Sequence, residues 1–162
     1  MIVTLLLDER SQAFFDRLRR EHFPRERLVV GAHVTLFHDL PDDAGTVVAR
    51  VLAELRPAPS DVAVTGLRSL GRGVAFTLEA RGAAALRDRL AGEFADRLTP
   101  QDRQPWRPHV TVQNKVQPEA ARALLARLSA GFAPFTARAE GLALWHYRGG
   151  PWEPAAAYRF AS

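Results

Sequence analysis

His33-Val34-Thr35-Leu36 and His109-Val110-Thr111-Val112 share one pattern, His-aliphatic-Thr-aliphatic, 76 residues apart in a chain of 162. In an extended strand, side chains at i and i+2 lie on one face. Each phrase therefore points an imidazole and a hydroxyl together and turns its aliphatic residues toward a core. With five histidines and eight threonines in the chain, a given histidine has a threonine two places on about one time in twenty by chance. Two such pairs with the same aliphatic flanks arise in roughly one of some thousands of chains. An imidazole near its ordinary pKa of about 6.5 accepts or donates a proton at neutral pH. Two of them on opposite sides of a phosphodiester can do both jobs at once. One, neutral, takes a proton from attacking water; the other, protonated, gives a proton to the departing sugar oxygen. The threonine hydroxyls can donate to the non-bridging oxygens as charge builds there. This chemistry needs no metal or other cofactor, and a zinc site built on His33 and His109 lacks a third ligand, since no His-x-His or His-Glu-x-x-His phrase is present.

The elements that must position these residues repeat as well. After the first phrase the periodicity predicts a helix from about Pro41 to Leu55, with Val47, Val48, Val51, Leu52 and Leu55 on one face. After the second it predicts a helix from about Pro118 to Ser129, with Ala121, Leu124, Leu125 and Leu128 in the same pattern; both prolines suit a first helical turn. Strand-like stretches open at Ala58-Pro59 and Ala133-Pro134 and are interrupted at Gly66-Leu67 and Gly141-Leu142, at a common offset of 75. Turns at Gly71-Arg72-Gly73 and Arg148-Gly149-Gly150 lead into final strands, about Val74 to Ala80 and Ala155 to Phe160. Amphipathic helices over about Glu9 to His22 and Ala83 to Leu98 each close one lobe. Pro108 holds the residue before it extended and sets φ ahead of His109. The expected fold is α+β: two pseudo-symmetric lobes of mainly antiparallel sheet with outer helices around a central cleft. It is expected to be a single domain over residues 1–162, with approximate repeats at 33–80 and 109–160.

Composition narrows the partners. The chain has no cysteine, which excludes disulfides, thiolate nucleophiles and cysteine-ligated metal centres. The net charge of +4 comes almost wholly from arginine, Lys115 being the one lysine, and reads as a compositional bias with a local phosphate site rather than an extended nucleic-acid groove. The apolar start, Ile2 to Leu7, has no basic flank and reads as a first strand rather than a signal peptide. No apolar run approaches the roughly 20 residues of a membrane span. The expectation is a cytoplasmic monomer without a membrane or metal partner.

The paired phrases, their spacing and the Pro108-His109 junction resemble the 2H phosphoesterases, in particular the branch called 2′-5′ RNA ligase or RNA 2′,3′-cyclic phosphodiesterase. That resemblance implies a metal-independent enzyme that hydrolyses 2′,3′-cyclic phosphates at RNA ends or on small nucleotides to 2′-phosphomonoesters, with 2′-5′ ligation in some members. It implies His33, Thr35, His109 and Thr111 as catalytic residues, with His109 as base and His33 as acid; the residues themselves leave those two roles interchangeable. Where such relatives often carry an arginine after the second phrase, this chain has Gln113-Asn114-Lys115. Period two would place Gln113 and Lys115 beside His109 and Thr111, and Phe37, the repeat counterpart of Gln113, beside His33. Phe37 and Trp106 are stacking candidates for a base. Trp145, Tyr147 and Trp152 read as strand-pairing aromatics, His38 as a surface or capping residue, and His22 and His146 as structural or exposed. Other cyclic or 2′-5′ nucleotide chemistry, and a module that binds RNA ends without turnover, remain open on sequence alone.

Overall fold

Local chemistry fixes where the elements start. In the computed structural model, which describes residues 1–162, the Asp8 carboxylate accepts from the Ser11 backbone N–H and hydroxyl and caps the first helix. The chain then runs β1 (Ile2–Leu7), α1 (Glu9–His22), β2 (Thr35–Phe37), α2 (Ala44–Leu55), β3 (Ser60–Ser69), β4 (Val74–Glu79), α3 (Arg81–Glu93), β5 (His109–Gln113), α4 (Pro118–Ala130), β6 (Phe135–His146) and β7 (Glu153–Arg159). Pro118 occupies the first turn of α4 as expected, whereas Pro41 precedes α2 and accepts the Ala44 N–H through its carbonyl. The helix expected to reach Leu98 ends at Glu93 and continues as a 3₁₀ turn, Ala95–Arg97. Gly66 and Gly141 do not break β3 and β6. Each strand runs on through a register shift at that point, which bends a strand without ending it.

All pairings are antiparallel, in the order β2-β1-β6-β3-β4-β5, with β7 on β6. The order has an internal two-fold. β1 pairs with β2 and β6, β4 pairs with β5 and β3, and the middle of the sheet is the β3–β6 contact between residues 60–64 and 135–139. The two strands that carry the His-Thr phrases are therefore the outermost strands at opposite ends of one sheet.

Exchange of helices brings those ends together. With the halves divided as the sheet's two-fold divides them, β1 to β3 and β4 to β6, α1 of the first half lies on strands of the second: Phe14 and Phe15 make edge-to-face contacts with Phe76 of β4, and Phe14 does so with Phe135 of β6. α3, of the second half, packs against β3 and α2 of the first. One apolar core of 29 residues runs through both lobes, including Val34, Leu36, Val110 and Val112 from the two phrases. No helix is long and apolar enough to cross a membrane.

Two buried arginines complete the exchange. Arg19 of α1 donates from Nε to Val30 O at 3.0 Å, in its own half's loop, and from Nη1 to Thr111 O at 2.6 Å, in the other half's strand. Arg87 of α3 donates from Nη2 to Asp102 O at 2.8 Å, in its own half's loop, and from Nε to Leu36 O at 2.8 Å, in the other half's strand. Each guanidinium also stacks on a phenylalanine, Phe23 and Phe37 respectively. Replacing Arg87 by Met keeps the bulk and leaves two carbonyls without donors, at about 1–3 kcal/mol for each buried group left unpaired. Arg87→Met should lower the thermal midpoint by several degrees in circular dichroism. Arg122→Ala, which breaks the exposed 3.4 Å pair with Glu119 on α4, should leave it within a degree or two.

Candidate active site

The two phrases carry the same local device. On β2, Thr35 faces Thr4 while Phe37 faces Val3; on β5, Thr111 faces Ala75 while Gln113 faces Val74. One residue on β1 or β4 thus answers two on the histidine strand, a bulge at Leu36 and again at its counterpart Val112. Gly73 permits the second of these, since a Cβ there would overlap the Gln113 carbonyl. The bulge ends the period-two alternation after each threonine. His33, Thr35, His109 and Thr111 are all half-buried and face outward, whereas Leu36 and Phe37, like Val112 and Gln113, turn inward together.

Both imidazoles are held in one tautomer. His33 Nδ1 lies 2.8 Å from Gly31 O, and His109 Nδ1 lies 2.9 Å from Arg107 O, again 76 residues later. A carbonyl oxygen can only accept, so each Nδ1 carries the hydrogen and each Nε2 is left with its lone pair. Burial pulls His33 down to about 4, and the charge on Arg19, with any on His109 or His38 when protonated, pushes the same way; the Gly31 hydrogen bond opposes them. Burial also lowers His109, with Arg68 and His38 adding to it and the Arg107 hydrogen bond opposing. His38 reaches both. Its backbone N–H and Nδ1–H donate to the buried Asp102 carboxylate, at 2.8 and 3.2 Å, and the Asp39 N–H adds a third bond. Burial pushes the Asp102 carboxyl up, and the donors from His38 and Asp39 outweigh it and hold the group below its ordinary range.

Two hydrogen bonds tie the segments of the two phrases together, from Arg19 to Thr111 O and from Trp106 to Thr35 O, and the remaining candidates are redistributed. Phe37 is fully buried beneath Arg87 and offers no face to a ligand; Gln113 is 6% exposed. The bulges are the reason, since period two does not survive them. Lys115 lies beyond β5 in a turn, at φ +61° and exposed, rather than in line with His109 and Thr111. Trp106 is half-buried and donates its indole N–H to Thr35 O at 2.8 Å, bracing the first phrase from the loop before the second. Trp152 belongs beside the site: its ring centroid is 4.6 Å from that of His33 and 6.1 Å from that of Trp145, whose own N–H bonds Thr4 Oγ1. Its position in the β6–β7 turn carried no signal for this. No three His, Asp or Glu side chains cluster as metal ligands. A cavity of about 860 Å³ between α1, α4 and β6 contains neither histidine.

Comparison with known proteins agrees with this fold. A family model described as the 2′-5′ RNA ligase superfamily matches residues 7–151. No curated protein matches the chain. Among solved structures, LigT from E. coli in apo form is similar at 16% identity and TM-score 0.62, over 99% of this chain and 96% of LigT. A structure described as a phosphoesterase is similar at 17% and 0.63, over 99% and 97%. TT0787 of Thermus thermophilus is similar at 19% and 0.59, over 99% and 98%. LigT has also been solved with 3′-AMP and with ATP.

The depressed imidazoles set a sign for acid stability. His33 is held below its unfolded value near 6.5, so the unfolded chain binds the proton more readily. Stability is complete above about pH 6.5 and falls as pH drops through the folded value of about 4. In NMR titration the His33 ring should show a midpoint near 4, and His33→Gln should flatten the loss of stability between pH 6.5 and 4. An unchanged slope would place the buried proton elsewhere.

Proposed function

Because this chain belongs to the 2′-5′ RNA ligase superfamily, we propose that it is a metal-independent phosphodiesterase opening 2′,3′-cyclic phosphates of RNA ends or nucleotides to 2′-phosphomonoesters. The observation that carries the reading is the matched pair of imidazoles. Each is locked with Nδ1–H on a carbonyl two residues back and Nε2 unencumbered, and each has a threonine hydroxyl on the same face. Water attacks phosphorus as one Nε2 takes its proton, the bond from phosphorus to O3′ breaks, and the other Nε2–H protonates O3′. Thr35 and Thr111 donate to the non-bridging oxygens. LigT, of the same fold, has been solved with nucleotides, which supports a ligand of that size. Trp152 beside His33 is the aromatic surface on which a base would stack.

The environments favour His33 as base and His109 as acid, the reverse of what the family resemblance implies. An imidazole that stays neutral down to about 4 starts the cycle ready to accept. His109 must then bring the proton, which the bound anion helps it to hold.

Phosphorus NMR on a 2′,3′-cyclic nucleotide in excess EDTA should show the 2′-monoester appearing. Ligand recovered unchanged would leave only a binding module. Either His33→Ala or His109→Ala should lower kcat by on the order of 10²–10⁴-fold. The role assignment is read with a p-nitrophenyl phosphodiester, whose leaving group needs little protonation: His109→Ala should recover most of its activity there and His33→Ala none. The profile of kcat/KM should be bell-shaped and acid-shifted, with its lower limb near pH 4 and its upper limb below pH 6.5, because both pKa values are depressed in the free protein.

A further inference from the structure

We propose that Arg68 of β3 is the phosphate anchor of this site, gripping two phosphoryl oxygens of the substrate beside His109; this rests on the phosphodiesterase reading. Register places it. Arg68 faces Ala75 on β4, and Ala75 faces Thr111 on β5. Directly opposed residues of antiparallel strands share a face, so Arg68 lies on the side of the sheet that presents His109 and Thr111. Only the methyl of Ala75 stands between. Two residues earlier on the same face, Gly66 has no side chain to block the approach along Thr77 toward His109. Arg68 is accordingly one of the cations that act on His109.

Its hydrogen bonding is unlike that of the two buried arginines. Arg19 and Arg87 each spend Nε–H on a backbone carbonyl. Arg68 Nε is shielded from solvent and has no acceptor in the protein. Buried donors are rarely left in that state. The Nε–H and its neighbouring Nη–H form a planar fork whose spacing matches two oxygens of one phosphate. The position 75 residues on is Ala143, which faces Thr4, itself facing Thr35; the first lobe has no cation there. The anchor is one-sided, so phosphate oxygens are drawn toward the β3–β5 side while the aromatic surface lies with His33.

Inorganic phosphate is the probe, with binding to the intact protein measured by calorimetry and the His109 pKa followed by NMR. Arg68→Met should weaken phosphate at least tenfold and raise the His109 midpoint. Arg68→Lys should keep the midpoint low, since the charge remains, yet bind phosphate several-fold more weakly for want of the fork. On a 2′,3′-cyclic nucleotide, Arg68→Met should lower kcat/KM by about 10²-fold. Wild-type phosphate affinity in a folded Arg68→Met, or in Arg68→Lys should the methionine variant not fold, overturns the proposal. A wild-type protein that binds phosphate through Arg68 but leaves the cyclic nucleotide intact overturns the phosphodiesterase reading and keeps the anchor.

Discussion

The buried bonds from Arg19 and Arg87 to carbonyls of the opposite half are the constraint on which the rest of the molecule depends. β2 and β5 are as far apart in strand order as the sheet permits, so hydrogen bonding within the sheet cannot bring their side chains to one cleft. A guanidinium is costly to bury, and burial pulls Arg19 down to about 10; the cost is offset only where each donor finds an acceptor and the plane finds a partner. Both arginines offset part of that cost, each donating two N–H groups to carbonyls and stacking its plane on a phenylalanine ring. Because one carbonyl of each pair comes from the loop before its own half's phrase and the other from the opposite strand, either bond lost would loosen both halves at once.

Above that brace, precision comes from short-range geometry repeated at equivalent positions. The carbonyls of Gly31 and Arg107 fix the ring tautomer, and the bulges at Leu36 and Val112 decide where the outward-facing run stops. A bulge turns two consecutive residues inward, so the next side chain anchors the strand to the core when simple alternation would have sent it to the cleft. Phe37 shows the gain: it becomes the surface on which Arg87 stacks. The arrangement that removes Phe37 from the substrate is thus part of what holds the histidine strand in place.

Much of this was legible in the chain because it is written locally. Alternation exposes His33 with Thr35 and His109 with Thr111, and helical periodicity marks α1, α2, α3 and α4; the offsets of 75 and 76 point to a repeat, but they match β4 with β7, whereas the sheet's two-fold matches β4 with β1 and leaves β7 without a counterpart. The bulges were not legible, since a bulge depends on the partner strand's register and Leu36 or Val112 reads as ordinary alternation. Arg19, Arg87 and Arg68 were hidden among 21 arginines; what sets them apart is a carbonyl or an unpaired Nε that only tertiary structure reveals. His38 showed no threonine partner, and its link to Asp102 spans 64 residues. Trp152 lies in a turn, and nothing in its neighbours points to His33.

A duplicated site poses its own chemical problem. Two identical imidazoles in identical settings would share one titration and neither would be matched to a distinct task, whereas general acid–base chemistry needs one group ready to accept and one ready to give. The two halves agree in backbone and differ in what surrounds it. Beside His33 lie the ring of Trp152 and the charge of Arg19; beside His109 lies Arg68. Burial against that ring takes water from His33 and favours the neutral imidazole. A cation does the same while the site is free, but its effect reverses in kind once a phosphate binds to it, because the anion then faces the imidazole as well and stabilises its protonated form. On the proposed reading, substrate binding is therefore the event that separates the roles: it leaves His33 neutral and readies His109 to carry the proton, and the symmetry of the fold is broken only where the chemistry requires it.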